Sequence, residues 1–263
     1  MTIFQAIILG IIQGVGEFLP ISSSGHLELY KYFLCTKDFP FVFDILLHVA
    51  TLFSLCLVFR KKIVGLILST LRFIVRKNSI DDKENLWLVA LILIATLVTA
   101  IVGFALKDLT KGLNIKAIPL GLLITSIMLL ISSKARLKER PNLIRTALIL
   151  GIAQGISVFP GISRSGMTIS VLLMLGFLNE EVAETSFILS IPAILGALVL
   201  ELHSSDIKSL EYLPILVGML TAFIAGFFAL TLLVNLLKTK KIAYFAFYLL
   251  PLSIVLSIYF NFF

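Results

Sequence analysis

Apolar residues along this chain fall into long unbroken runs, with neither the alternation of a strand nor the one-sided stripe of a surface helix. Residues 45–59, 86–106, 117–131, 187–202, 213–237 and 242–263 each come close to the ~20 positions that cross a hydrocarbon core of ~30 Å as an α-helix. None carries an internal charge except the fourth, where Glu201 lies near one end. A membrane β-barrel would alternate over segments of ~10 residues, so these runs predict six spanning helices. Two further apolar segments, 3–19 and 144–159, are each followed at once by a Ser- and Gly-rich break.

Composition agrees with a bilayer as solvent. The 263 residues are 59% hydrophobic and 14% charged, against roughly 25% charged in a soluble domain. Too little polar surface exists to cover a water-exposed globule. The start, Met1-Thr2-Ile3-Phe4-Gln5, lacks a basic leader and Glu17 interrupts its apolar stretch, which argues against a cleaved signal peptide. Cys35 and Cys56 both lie in apolar context and read as small core residues, not as a disulfide or zinc site. The net charge of +7 would suggest nucleic acid in a soluble chain. Here it is a matter of which loops hold it, and no nucleic-acid partner is expected.

Basic residues collect in cytoplasmic loops. Segments 60–84, 134–145 and 238–241 hold fifteen of them, and the alternate side holds six: Lys31, Lys37, Lys107, Lys111, Lys116 and Lys208. Arg164 belongs to neither side. Counting crossings from this bias, residues 1–40 begin and end outside, and residues 146–185 begin and end inside. The economical arrangement is an all-α integral membrane protein of six transmembrane helices plus two re-entrant helical hairpins. The hairpins enter from opposite faces, and their broken tips meet near the midplane. Irregular backbone at that depth must be buried in protein or line a wet cavity.

The two hairpins repeat each other. Ile8-Leu-Gly-Ile-Ile-Gln-Gly-Val-Gly-Glu-Phe-Leu-Pro-Ile-Ser-Ser-Ser-Gly-His26 aligns without a gap on Ile149-Leu-Gly-Ile-Ala-Gln-Gly-Ile-Ser-Val-Phe-Pro-Gly-Ile-Ser-Arg-Ser-Gly-Met167, with eleven of 19 positions identical. Each copy precedes three spans, an odd number, so the copies lie inverted within one membrane domain of residues 1–263 (first repeat about 1–140, second about 141–263). Inverted repeats with broken helices place a binding site where the breaks meet. Gln13/Gln154, Gly14/Gly155, Ser22/Ser163, Ser24/Ser165 and Gly25/Gly166 match as scaffold. Glu17/Val158, Ser23/Arg164 and His26/Met167 diverge, leaving one carboxylate, one hydroxyl, one guanidinium and one imidazole as candidate chemistry.

An ionisable group at membrane depth costs several kcal/mol, roughly 2.5–3.5 on insertion scales. Glu17 and Arg164 are therefore functional candidates, with a purely structural ion pair between them as the plainer alternative. Gln13 and Glu17, at i and i+4, share a helix face and could offer oxygens to a hard divalent cation; a helix-packing amide is the other reading of Gln13. Ser22 and Ser24 suit helix capping, and Ser23 is the better candidate for a reacting hydroxyl. His26, one turn on, could act as base or nucleophile. Arg164 is always cationic and forks onto phosphate oxygens. The breaks Ser22-Ser23-Ser24-Gly25 and Ser163-Arg164-Ser165-Gly166 lead into helices whose first amides can hold an anion. Asp44 and His48, also i and i+4, suggest a supporting or gating role. Glu180, Glu181 and Glu184 fit the start of a helix. The set suits a diphosphate on a membrane-embedded lipid.

These residues resemble the undecaprenyl-diphosphate phosphatase family of the bacitracin-resistance type, over essentially the whole chain. The family's first motif has Gln or Glu, then Glu after three residues, then Pro-x-Ser-Ser-x-Gly-His. It stands here as Gln13, Glu17 and Pro20-Ile-Ser-Ser-Ser-Gly-His26. Its second stands as Pro160-Gly-Ile-Ser-Arg-Ser-Gly166. The resemblance implies a phosphatase dependent on Mg²⁺ or Ca²⁺ in the bacterial inner membrane, with its active site open to the outer face. It would recycle undecaprenyl phosphate for peptidoglycan synthesis and confer bacitracin resistance. It implies functional roles for Glu17, Ser23, His26 and Arg164. Gln13 takes the less acidic option of the first motif and removes a candidate carboxylate from the metal site. The expected partners are a polyprenyl diphosphate and the bilayer, with a homodimer left open. A carrier that flips polyprenyl phosphate through the same pocket is the rival; it needs Arg164 but neither nucleophile nor metal.

Overall fold

The computed structural model describes residues 1–34, 41–77, 79–135, 142–202 and 212–262; the reading of Cys35 falls outside them, and Cys56 is a free, half-buried thiol. Among the described residues all regular structure is helical: α1 (Ile3–Phe18), α2 (Ser23–Phe33), α3 (Phe41–Val58), α4 (Arg60–Ile74), α5 (Lys83–Lys111), α6 (Ile118–Ser133), α7 (Leu143–Ile156), α8 (Arg164–Met174), α9 (Asn179–Leu202), α10 (Tyr212–Lys238) and α11 (Ala243–Phe262), with short 3₁₀ turns before α5 and α6. Each sequence-predicted span falls on one of these. Helices α5, α6, α9, α10 and α11 are long and apolar enough to cross a bilayer, and α3 with α4 makes a sixth if that bent pair is one span. The shorter apolar helices are α1 and α7.

Local signals set the ends. Thr2 and Gln5 form a reciprocal cap at α1, side chain to backbone in both directions, at 3.2 and 2.9 Å. Glu180 and Glu181 lie in the first turn of α9, where the helix dipole favours them. Helix α4 corrects the sequence reading, which took 60–84 as a basic loop. Its charges cluster at the two ends of an apolar stretch, and it leaves α3 at 79°. Tertiary bonds hold it: buried Ser69 donates to Asp82 at 2.7 Å, Asn85 donates to Ser69 at 3.0 Å, and Arg72 pairs with Asp82.

Packing follows two parallel schemes. Helix α1 lies on α10 and α7 on α5; α3 also lies on α10, and α9 on α5; α6 carries both α8 and α11. Small residues permit the first two contacts. A Cβ on Gly14 would come within 2.6 Å of the Ala222 carbonyl oxygen, and one on Gly151 within 2.7 Å of that of Ala95. In lipid, where apolar side chains gain little by leaving the tails, the close packing such small residues allow is one of the forces that associate helices. The opposite faces of α5 and α10 expose Leu93, Leu97, Ile101 and Phe104, and Leu216, Leu220, Ile224 and Phe228, as a lipid-facing stripe should.

Candidate active site between two broken helices

Helix α1 stops because Leu19 is extended and Pro20 supplies no amide hydrogen. Ser22 then caps α2: its Oγ accepts from the Gly25 amide at 3.3 Å while its own backbone sits at φ +70°. After α7 the chain turns at Gly161, φ +84°, where a Cβ would meet the Ile118 carbonyl oxygen at 2.3 Å. Ser163 caps α8, accepting from the Gly166 amide at 3.1 Å, and its own amide donates to Thr125 Oγ1 at 3.0 Å. The amides of Ser23 and Ser24 at α2, and of Arg164 and Ser165 at α8, precede the first intrahelical acceptor at each start. The breaks touch: Ser165 Oγ donates to the Leu19 carbonyl at 3.4 Å, and a Cβ on Gly25 would lie 3.2 Å from Gly161 Cα.

Between them is a cavity of about 280 Å³. Its polar lining comprises Glu17, Ser22, Ser23, Ser24, Ser163, Arg164 and Ser165, joined by His48, Thr99, Gln154 and Ser157; Ala193, Ile194, Ala197 and Leu198 of α9 form an apolar wall. Glu17 is the hub. Its Oε1 is paired with the Arg164 guanidinium. Its Oε2 accepts from Ser23 Oγ at 3.0 Å and from Gln13 Nε2 at 3.0 Å. Only 3% of the Glu17 side chain is exposed, against 24% of Arg164, so the guanidinium is the part that reaches the cavity.

The residues singled out from sequence do not all converge. Glu17, Ser23, Arg164 and Gln13 do. Ser22 and Ser163 cap as expected, while Ser24 is exposed in the first turn of α2 and takes no part in the cap, which Ser22 alone provides. Gly25 and Gly166 supply the capped amides. His26 turns away from Glu17 and Ser23. Its Nδ1–H donates to the Ser22 carbonyl at 2.9 Å, and its Nε2 accepts from the Tyr248 hydroxyl at 2.8 Å, with the two rings stacked. The bonds of Glu17 reach no atom of His26, so an orienting bond between them is absent among the described residues. Asp44 is bound by Lys31 at 2.6 Å and does not hold His48. His48 instead meets Gln13 Nε2 at 2.9 Å.

Thr99 and the α9 wall were not read from the sequence. Thr99 donates to the Ala95 and Gly151 carbonyls and accepts from Gln154 Nε2 at 3.3 Å. A threonine bonding back to its own helix carries no distinguishing pattern. No three His, Cys, Asp or Glu side chains come together among the described residues. The Gln13 Oε1 atom is buried with no hydrogen-bond partner among the described residues.

Apolar helices of spanning length, closed round a cavity that collects a guanidinium, hydroxyls and two helix starts, define a multi-pass membrane protein with a pocket suited to an anion. The family described as bacitracin resistance protein BacA matches residues 6–255, and this chain belongs to it. It is 51% identical to an undecaprenyl-diphosphatase of Treponema denticola over 264 residues, covering 99% of this chain and 98% of the relative. It is 41% identical to one of Borrelia recurrentis, covering 98% of each. The identity is 40% to one of Korarchaeum cryptofilum, covering 97% of this chain and 98% of that protein.

Proposed function

We propose that this chain hydrolyses undecaprenyl diphosphate to undecaprenyl phosphate and inorganic phosphate, which returns the carrier lipid to peptidoglycan synthesis and removes the target of bacitracin. The named activity of its relatives supports this. The observation that carries it is the Ser23–Glu17–Arg164 chain of contacts at one cavity, between the starts of α2 and α8.

Phosphoryl transfer asks a protein mainly for positioning and charge stabilisation. The guanidinium has five N–H donors; Glu17 engages part of the fork and the remainder can take phosphoryl oxygens. The first-turn amides of α2 and α8 add donors at the positive ends of two helix dipoles. Ser23 Oγ bonds to the terminal phosphorus while its proton passes to Glu17. The bond from that phosphorus to the bridging oxygen breaks, and undecaprenyl phosphate leaves. Water then attacks that phosphorus, the bond to Ser23 Oγ breaks, the proton held by Glu17 returns to Oγ, and phosphate leaves with the oxygen and protons of the water. Both His26 nitrogens are engaged, which favours Ser23 as nucleophile and gives His26 a different task, anchoring the Ser22 carbonyl behind the reacting hydroxyl. A phosphoenzyme trapped on Ser23 would be acid-stable; an acid-labile one on His26 would overturn the assignment.

The cofactor in this reading is a divalent cation, which Glu17 and the oxygens of the diphosphate would hold; Gln13 turns its Nε2 to Glu17 and is absent from the cavity lining, so it does not join the set. One carboxylate plus substrate phosphates is the donor set that Mg²⁺ accepts, whereas Ca²⁺ takes six to eight oxygens. Bound there, it would neutralise diphosphate charge. We further propose six spans with two re-entrant hairpins in inverted repeat, in the inner membrane with the site open outward. The exchange of α1–α10 and α3–α10 for α7–α5 and α9–α5 supports the repeat, and the basic residues of 60–84 and 134–145 support the orientation. The test is phosphate release from undecaprenyl diphosphate by purified protein, with cation and with chelator. Cation-dependent release that disappears in Glu17→Ala and Arg164→Ala is expected. No release from folded protein, with several prenyl lengths tried, would assign the pocket to a lipid carrier.

A further inference from the structure

The cavity holds an imidazole that the mechanism above does not use. His48 projects from α3 into the cavity lining, and 32% of its side chain is exposed, against 3% for its neighbour Glu17. Its Nδ1 lies 2.9 Å from Gln13 Nε2 and 3.5 Å from Glu17 Oε2. The orientation of the Gln13 amide fixes the tautomer. Turned over, the amide would set Oε1 at 3.0 Å from a carboxylate oxygen, two acceptors face to face. With nitrogen there, Gln13 donates one N–H to Glu17 and the other to His48 Nδ1. The proton of His48 therefore sits on Nε2. No hydrogen bond to Nε2 occurs among the described residues. His26 is the counter-example: both its nitrogens are engaged, by Ser22 and Tyr248, and it is absent from the lining.

We propose that His48 contacts the substrate, its Nε2–H donating to a phosphoryl oxygen of the diphosphate alongside Arg164. This rests on the hydrolase reading of the same cavity. A histidine on a spanning helix whose task was packing would bury its free nitrogen against a neighbouring helix. This one is held by Gln13 at its proximal nitrogen, lines the cavity and keeps a third of its side chain exposed. The Glu17–Gln13–His48 chain thus couples the carboxylate that engages Ser23 to a second group placed to hold the diphosphate.

Two amide substitutions separate the nitrogens. Asparagine places an oxygen near the position of Nδ1 and keeps the Gln13 contact without a distal donor. Glutamine places its N–H groups near the position of Nε2 and gives up the proximal acceptor. Wild type, His48→Gln, His48→Asn and His48→Ala are compared for kcat and KM on undecaprenyl diphosphate, with thermal melting in detergent as a check on folding. His48→Asn and His48→Ala are expected to lose about ten- to a hundredfold in kcat/KM, and His48→Gln to stay within about threefold of wild type. A lost interaction with the diphosphate raises KM, which a change in packing alone would not do in a variant that melts like wild type. Rescue by asparagine and not by glutamine would overturn the proposal and make His48 a positioning residue acting through Gln13. Wild-type rates in all three variants would overturn it as well. An inactive wild type would instead remove the hydrolase reading on which it rests.

Discussion

At the break after α1 the residue with positive φ is a serine, Ser22 at +70°, and it is also the cap of α2; at the break after α7 the cap, Ser163, is an ordinary extended residue at −80° and a glycine, Gly161, takes the positive φ at +84°. A left-handed non-glycine residue costs on the order of 1–3 kcal/mol, so the first break is the strained one. It is also the one that sets Ser23 against Glu17 at 3.0 Å. The second break has the relaxed backbone and presents Arg164. The matched glutamines differ in the same way: the Gln13 amide donates to Glu17 and His48, the Gln154 amide to Thr99, and each carbonyl oxygen is buried with no partner among the described residues. The first break thus sets the Ser23 hydroxyl against the Glu17 carboxylate, and the second supplies the Arg164 guanidinium.

The comparison fails if chemistry is spread evenly over both breaks. Arg164→Ala should lose about a thousandfold in kcat/KM, as removal of a preorganised charge-stabilising donor does. Ser22→Ala should cost much less, and comparable rates for the two would end the assignment. Next, Ser23→Ala should lose a hundredfold or more in phosphate release, against about fivefold for Ser24→Ala or Ser165→Ala, the matched positions. On the stability side, Glu17→Gln strands the Arg164 guanidinium and should cost about 3–5 kcal/mol, seen as a lowered melting temperature in detergent. Its counterpart Val158→Gln, on a half-exposed residue, should cost under about 1 kcal/mol. Most specific is the backbone pair. Gly161→Ala, which adds a Cβ 2.3 Å from the Ile118 carbonyl oxygen to the strain of a positive φ, should destabilise by about 3 kcal/mol or more, whereas Ser22→Gly, which relieves φ and loses the cap oxygen, should change stability by a few tenths of a kcal/mol.

The spans were legible because an uninterrupted apolar run has few readings once it reaches twenty residues. The Glu17–Arg164 pairing was legible from the repeat, since a carboxylate and a guanidinium at neighbouring depths have strong reason to meet. Helix α4 was hidden, because Arg60, Lys61, Lys62, Arg72, Arg76 and Lys77 mask its apolar middle and its anchor, Asp82 with Ser69 and Arg72, is tertiary. The direction of His26 was hidden for the same kind of reason. Its partner Tyr248 lies 222 positions away, and no spacing rule connects α2 to α11. His48 was noticed for its spacing from Asp44, yet the contact that matters is with Gln13. Lys31 takes Asp44 instead.

The Glu17–Arg164 bond joins residues 147 positions apart, one from each half of the chain. For inheritance this makes a single locus of two distant codons. A change at either leaves a buried charge uncompensated, so single substitutions there should be lost, and because each residue also serves the site, a matching change at the other codon should not rescue them. At this bond the two halves of the chain must be inherited together.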